Sequence, residues 1–145
     1  MPEDLWSLPV VFYFDVQIAG MSLPFTEVSG LTQSIEIEHI QEGGGSGYDL
    51  PKKVSSGKIV LKRAINPDNK DVFDKWLEQT FSGTGKLSPR NLKISLMDHK
   101  GLKQCMWSVI EAYPVKWDVG KFDAKENGIA METTELVCHE IKRSW

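Results

Sequence analysis

The chain is predicted to fold as an antiparallel β-domain carrying one amphipathic helix. Period-two alternation of apolar and polar residues recurs in segment after segment, and a single stretch shows helical spacing instead. Breaks rich in Gly, Pro, Asp and Ser separate these segments. With 145 residues, 41% of them hydrophobic and 26% charged, the chain suits one domain with a buried core.

Residues 1–9, with Trp6, Pro2 and Pro9, read as an irregular N-terminal arm, and residues 10–145 as a single domain. In "VFYFDVQI" Phe12, Phe14, Val16 and Ile18 share one face, while Tyr13, Asp15 and Gln17 share the other. "AGMSLPF" turns and re-enters. "SIEIEHI" sets Ile35 and Ile37 against Glu36 and Glu38, a second half-buried strand, and "KIVLKRA" sets Ile59 and Leu61 against Lys58, Val60 and Lys62. Between these two strands runs "QEGGGSGYDLPKKVSSG", the most flexible stretch of the chain.

The helix is expected in "NPDNKDVFDKWLEQTF", where Val72, Phe73, Trp76, Leu77 and Phe81 form a packing stripe of about three turns. Asn66 is placed to cap it, Pro67 suits the first helical position, and Asp68 and Asp71 favour the positive end of the dipole. "SGTG" stops it. Beyond lie "NLKISLMD", alternating Leu92, Ile94 and Leu96 with polar partners, and a hairpin turn at "DHKG". "LKQCMWSVIEAYPVKW" reads as a long strand broken near Pro114, "GKFDAKENG" as a connection and "IAMETTELVCHEI" as a long final strand. Glu36, Glu38, Glu132 and Glu135 fall on a solvated face of alternating strands rather than in a carboxylate pair.

Chemistry finds little support. "GGGSG" (43–47) lacks the Lys-Ser/Thr of a phosphate loop and precedes no helix. In "GTGKLS" (83–88) Leu87 stands where a magnesium-binding Ser or Thr belongs, and Thr80 where the first glycine belongs. "HEIKR" begins like a zinc-protease helix, but Arg143 replaces the second histidine and the context is a strand. His39, His99 and His139 share no metal-ligand spacing with Cys105 or Cys138, and no nucleophile elbow occurs. No catalytic residue, cofactor or metal is expected. Both cysteines are expected as free thiols inside strands, since disulfides are rare in the cytoplasm.

A formal charge of -3 and a pI near 5.6 argue against binding driven by a phosphate backbone. Trp76, Trp107, Trp117 and Tyr113 lack interleaved basic residues, which favours packing over base stacking. No run approaches the ~20 apolar residues of a membrane helix. Glu3 and Asp4 stand where a signal peptide carries positive charge, so synthesis in the cytoplasm without classical secretion is expected. Stable membrane binding and specific nucleic-acid binding are not expected.

In order and spacing, "PFTEVSGL" after a first strand, "QEGG" with a loop closing on "LP", and "KIVLKRA" before a helix bearing Trp76 resemble the tail tube proteins of contractile phages. "WSVIEAYPVKW" and "FDAKENGIAMETTELVCHE" continue the resemblance, which spans Val10 to Glu140 and lies nearest to inner-tube subunits of contractile injection systems. It implies a mainly β fold, a small antiparallel β-barrel or sandwich with one helix. It also implies hexameric rings of self-associated copies stacked into a hollow tube. Contractile sheath, baseplate and terminal cap proteins are the implied partners, with protein effector cargo in the lumen. The arm "MPEDLWSLP" and the cysteines depart from the family pattern.

Long strands in a small chain leave edges that need partners, and identical neighbours supply them. On this reading Glu42, Gly43, Gly44, Gly45, Tyr48, Leu50 and Pro51 form a loop that reaches the next ring. Glu36, Glu38, Lys58, Lys62, Glu132 and Glu135 are candidates for a polar face. The alternatives are a single-ring adaptor between baseplate and tube or, in another class, a monomeric ligand-binding barrel or small hydrolase.

Overall fold

A long two-faced sheet in a short chain reaches its lowest exposed apolar area by curling on itself, and this chain does so. The structure is a computed structural model that describes residues 13–41, 43–65, 71–82, 88–120 and 130–144. Among them are β1 (Tyr13–Ile18), β2 (Met21–Phe25), β3 (Glu27–Ser29), β4 (Gln33–Ile40), β5 (Tyr48–Ser56) and β6 (Ile59–Ala64). After these come the helix α1 (Val72–Phe81), then β7 (Arg90–Met97), β8 (Lys103–Val119), β9 (Met131–Val137) and β10 (Glu140–Ser144). All strand pairings are antiparallel, in the order β2-β1-β7-β8-β9-β6-β3, with β10 also on β8 and β4 paired only with β5.

Two strands turn corners and close the barrel. Residues 21–29 run as one path that pairs first with β1 and then with β6. At its kink the Thr26 N–H donates to the Lys62 carbonyl at 2.9 Å, and the Thr26 hydroxyl donates to the same oxygen at 3.1 Å. On the other side β8 pairs with β7 and β10 through its first half and with β9 through its second. The expected break near Pro114 is a bend within a continuous strand. Glu111 takes φ of 51°, its N–H held by Asn91 Oδ1 at 2.9 Å, and the register shifts between Pro114 and Lys116.

The interior is filled from the inward face of each strand, including Val16, Ile18, Phe25, Ile59, Leu61, Leu92, Ile94, Val109 and Leu136. From α1 come Phe73, Trp76 and Leu77, all buried, with Val72 half-buried against them. Phe73 meets Phe25 edge to face at 5.3 Å and Trp76 at 5.9 Å, and the Trp76 indole donates to the Ser88 carbonyl at 2.8 Å. Phe81 does not join this stripe: it is 44% exposed in the last turn.

Other expectations need correction. The N-cap is Asp71, one residue before Val72, because Asp71 and Asp74 make a reciprocal capping box. Asn66, Pro67 and Asp68 lie outside the described residues, as do 1–12, 83–87 and 121–129, which hold the N-terminal arm, most of the expected helix stop and the late connection. The long final strand is two, β9 and β10, separated at Cys138 and His139 but both lying along β8. Cys138 is therefore half-buried in this break, whereas Cys105 is buried in β8; both are free. Burial pushes the Cys138 thiol above its ordinary range.

Candidate functional site

Two features at opposite ends of β6 stand apart from the barrel interior. The first is the β4–β5 hairpin, which precedes β6. It follows directly on β3 through Gly30, whose φ of 81° places a would-be Cβ 1.8 Å from the Lys58 carbonyl oxygen. Only glycine allows this approach of two backbones. The root is fastened by Thr32 N–H to Gly30 carbonyl (2.7 Å) and Gly57 N–H to Thr32 carbonyl (3.0 Å). The Gln33 side-chain amide donates to the Ile141 carbonyl on β10.

Beyond this root the hairpin leaves the barrel. Ile35 faces Val54 and Ile37 faces Pro51 across the ladder, so all four lie on one side of the ribbon. Ile35, Ile37 and Val54 are 55%, 66% and 62% exposed. The half-buried strand expected here is thus an exposed one; its alternation is real, but nothing among the described residues covers the apolar side. Two-stranded ribbons are marginal in water without such cover. Cross-strand polar contacts hold the ribbon: Ser34 to Ser55 hydroxyls at 3.1 Å, and His39 Nδ1 to Asp49 Oδ1 at 2.8 Å. The bulge between Glu36 and Ile37 accommodates Pro51 within β5.

Of the residues assigned to a flexible loop, Gly43, Gly44 and Gly45 do sit in the tip, while Glu42 lies outside the described residues. Tyr48, Leu50 and Pro51 instead belong to β5, paired with Ile40, Glu38 and Ile37. All three are exposed.

The second feature lies at the far end of β6. Arg63 is buried with its guanidinium 5.1 Å and 4.9 Å from the Phe25 and Phe73 rings. Its Nε donates to Glu132 Oε1 at 2.6 Å, Nη1 to Asp71 Oδ2 at 2.6 Å, and Nη2 to Asp74 Oδ1 at 3.1 Å. Trp117 Nε1 donates to the other Glu132 oxygen at 3.2 Å. This clamp joins β6, β8, β9 and the capping box of α1. Glu132, expected on a solvated face, is 6% exposed and turned inward. Arg63 was not singled out from sequence, although an arginine at the inward parity of "KIVLKRA" is the signal that marks it.

Burial opposes the charge on Asp71, but hydrogen bonds from Arg63 and from the Asp74 N–H outweigh it, holding its carboxyl below the ordinary range. Asp74 moves the other way: burial and the adjacent Asp71 and Glu132 carboxylates raise it, against the pull of its backbone hydrogen bond and Arg63. Above the clamp opens a cleft of about 610 Å³, lined by Met21, Leu23, Pro24, Ile65, Val72, Lys75 and the clamp residues. Among the described residues no three His, Cys, Asp or Glu side chains form a metal-binding group, and no helix is long and apolar enough to cross a membrane.

A closed antiparallel barrel with one docked helix and a projecting hairpin defines the class of protein. The chain belongs to the T4-like virus tail tube protein gp19 family, which matches residues 10–142. Among solved structures it is similar to a chain described under the sheath/tube terminator of the extracellular contractile injection system PVC, in the extended state. There the identity is 26% and the TM-score 0.81, over 96% of this chain and 99% of that one. For the PVC sheath–tube complex the values are 25% and 0.80, over 97% and 93%. Hcp1 from Flavobacterium johnsoniae shares the fold at 14% identity and TM-score 0.58, over 92% and 95%. No curated protein matches by sequence.

Proposed function

We propose that the chain is the repeating subunit of the hollow inner tube of a contractile injection system. Copies close into hexameric rings, and rings stack head to tail inside a contractile sheath, between a baseplate and a terminal cap. Protein cargo occupies the lumen and is delivered through a target membrane on contraction. The particle is assembled from chains made in the bacterial cytoplasm.

The carrying observation is the apolar side of the β4–β5 hairpin, which no described residue covers and which contact with another copy would bury. The hairpin, including Gly43, Gly44, Gly45, Tyr48, Leu50 and Pro51, is the axial contact between rings. Sheet edges supply the lateral one. Over residues 113–119 β8 has β9 on one side and no strand on the other, and β10 pairs with β8 alone, among the described residues.

The likeness to a chain of the PVC sheath/tube terminator favours a second reading, a single ring at one end of the tube. Electron microscopy of particles carrying a labelled copy of the chain separates the two. Label along the whole shaft is the expected result; label confined to one end overturns the tube-subunit reading in favour of an adaptor or terminator ring. For the axial contact, deletion of residues 43–47 is expected to leave rings that no longer stack, and normal tubes from that variant overturn it.

A further inference from the structure

We propose that the apolar side of the hairpin seats in the Arg63 cleft of the next copy along the axis. This rests on the reading of the hairpin as the axial contact and adds the surface that receives it.

The first argument is placement. The hairpin departs beside Ile59, where β6 begins, and the cleft opens around Arg63, Ala64 and Ile65, where β6 ends. Donor and receptor thus lie at opposite ends of the barrel wall, separated by about 17 Å of strand. Two different surfaces at opposite poles of one subunit make a head-to-tail contact that repeats without closing, as a tube requires. A β4 of eight residues, about 25 Å long when extended, is sufficient to reach across a subunit boundary.

The second argument is chemistry. The cleft falls within the ~300–1,000 Å³ range of cavities that bury a ligand, and Met21, 51% exposed, stands at its mouth with Leu23, Pro24 and Val72 behind. These suit Ile35, Ile37, Pro51 and Val54. An exposed apolar ribbon side and an open apolar cleft each gain cover from the other.

The test places opposite charges on the two faces: Ile37→Lys, Met21→Glu, and both together. Both positions are exposed, so each variant is expected to melt like the wild-type chain. Tube formation, counted as stacked rings by electron microscopy and by sedimentation, is expected to fall at least about tenfold in each single variant, because each leaves an unpaired charge in the contact. The double variant is expected to recover tubes. If Ile37→Lys blocks stacking and Met21→Glu does not, the cleft is overturned and the axial hairpin stands. If neither blocks it, both fall. Two blocking single variants without recovery in the double overturn the direct pairing of these faces.

Discussion

Ile59 and Ile35 are the same residue in the same kind of strand, yet one is fully buried and the other 55% exposed. β6 and β4 both alternate, and both belong to antiparallel ladders. The difference is what lies over the apolar face: α1 and the opposite barrel wall in one case, none of the described residues in the other. Alternation therefore reports that a strand has a side to bury. It does not report whether the cover comes from the same molecule.

The barrel end should prove far more sensitive than the hairpin. Arg63→Ala leaves Glu132, Asp71 and Asp74 facing one another without their cation, inside a site that excludes most water. Breaking such a buried group by removing one partner costs about 3–5 kcal/mol. Chemical denaturation should show a loss of that size, and a loss below 1 kcal/mol would mean that the clamp is more hydrated than its geometry indicates.

A matched pair comes next. Ile59→Ala removes a buried side chain and is expected to cost about 2–5 kcal/mol, whereas Ile35→Ala should stay within about 0.5 kcal/mol in the isolated chain. On the axial-contact reading, assembly covers Ile35 and raises the cost of Ile35→Ala. Measuring both variants before and after assembly sharpens the contrast; equal losses in the isolated chain would show the hairpin folded back on the barrel.

Much of this was readable from residue order. The strands, the single helix and its buried Phe73, Trp76 and Leu77 follow from period and spacing, since those patterns reflect local geometry. What lay hidden depends on contacts distant in sequence. Asp71 is chosen as N-cap over Asn66 because Arg63 and Asp74 sit where they reward it. Glu132 looks like a solvated carboxylate until β9 pairs with β6 and sets it opposite Arg63. The length of β5 was missed because the glycines of 43–47 lent their flexibility to neighbours that pair with β4. Phe81 fits the helical stripe by spacing alone, but its turn lies past the packed region.

The smallest effects separate the two regions by their ion pairs. Asp71→Asn keeps a side-chain oxygen for the N-cap but removes the charge that meets Arg63, so about 1.5–3 kcal/mol is expected at neutral pH. The Asp71 carboxyl is depressed in the folded state, so its contribution is complete above the ordinary carboxylate value and disappears as pH falls through the depressed one. The gap between wild type and Asp71→Asn should therefore be constant at neutral pH and close below about pH 4. Asp74 has the opposite sign, since a raised carboxyl gains protons on acidification and eases the crowding of negative charge, but it is present in both chains. Asp49→Asn in the hairpin removes the partner of His39 at a pair more than half exposed on both sides. Solvent screening leaves such a pair about 0–1 kcal/mol, so thermal melts should barely move. A larger loss for Asp49→Asn than for Asp71→Asn would reverse the contrast, making the hairpin and not the clamp the part of the chain that electrostatics holds in place.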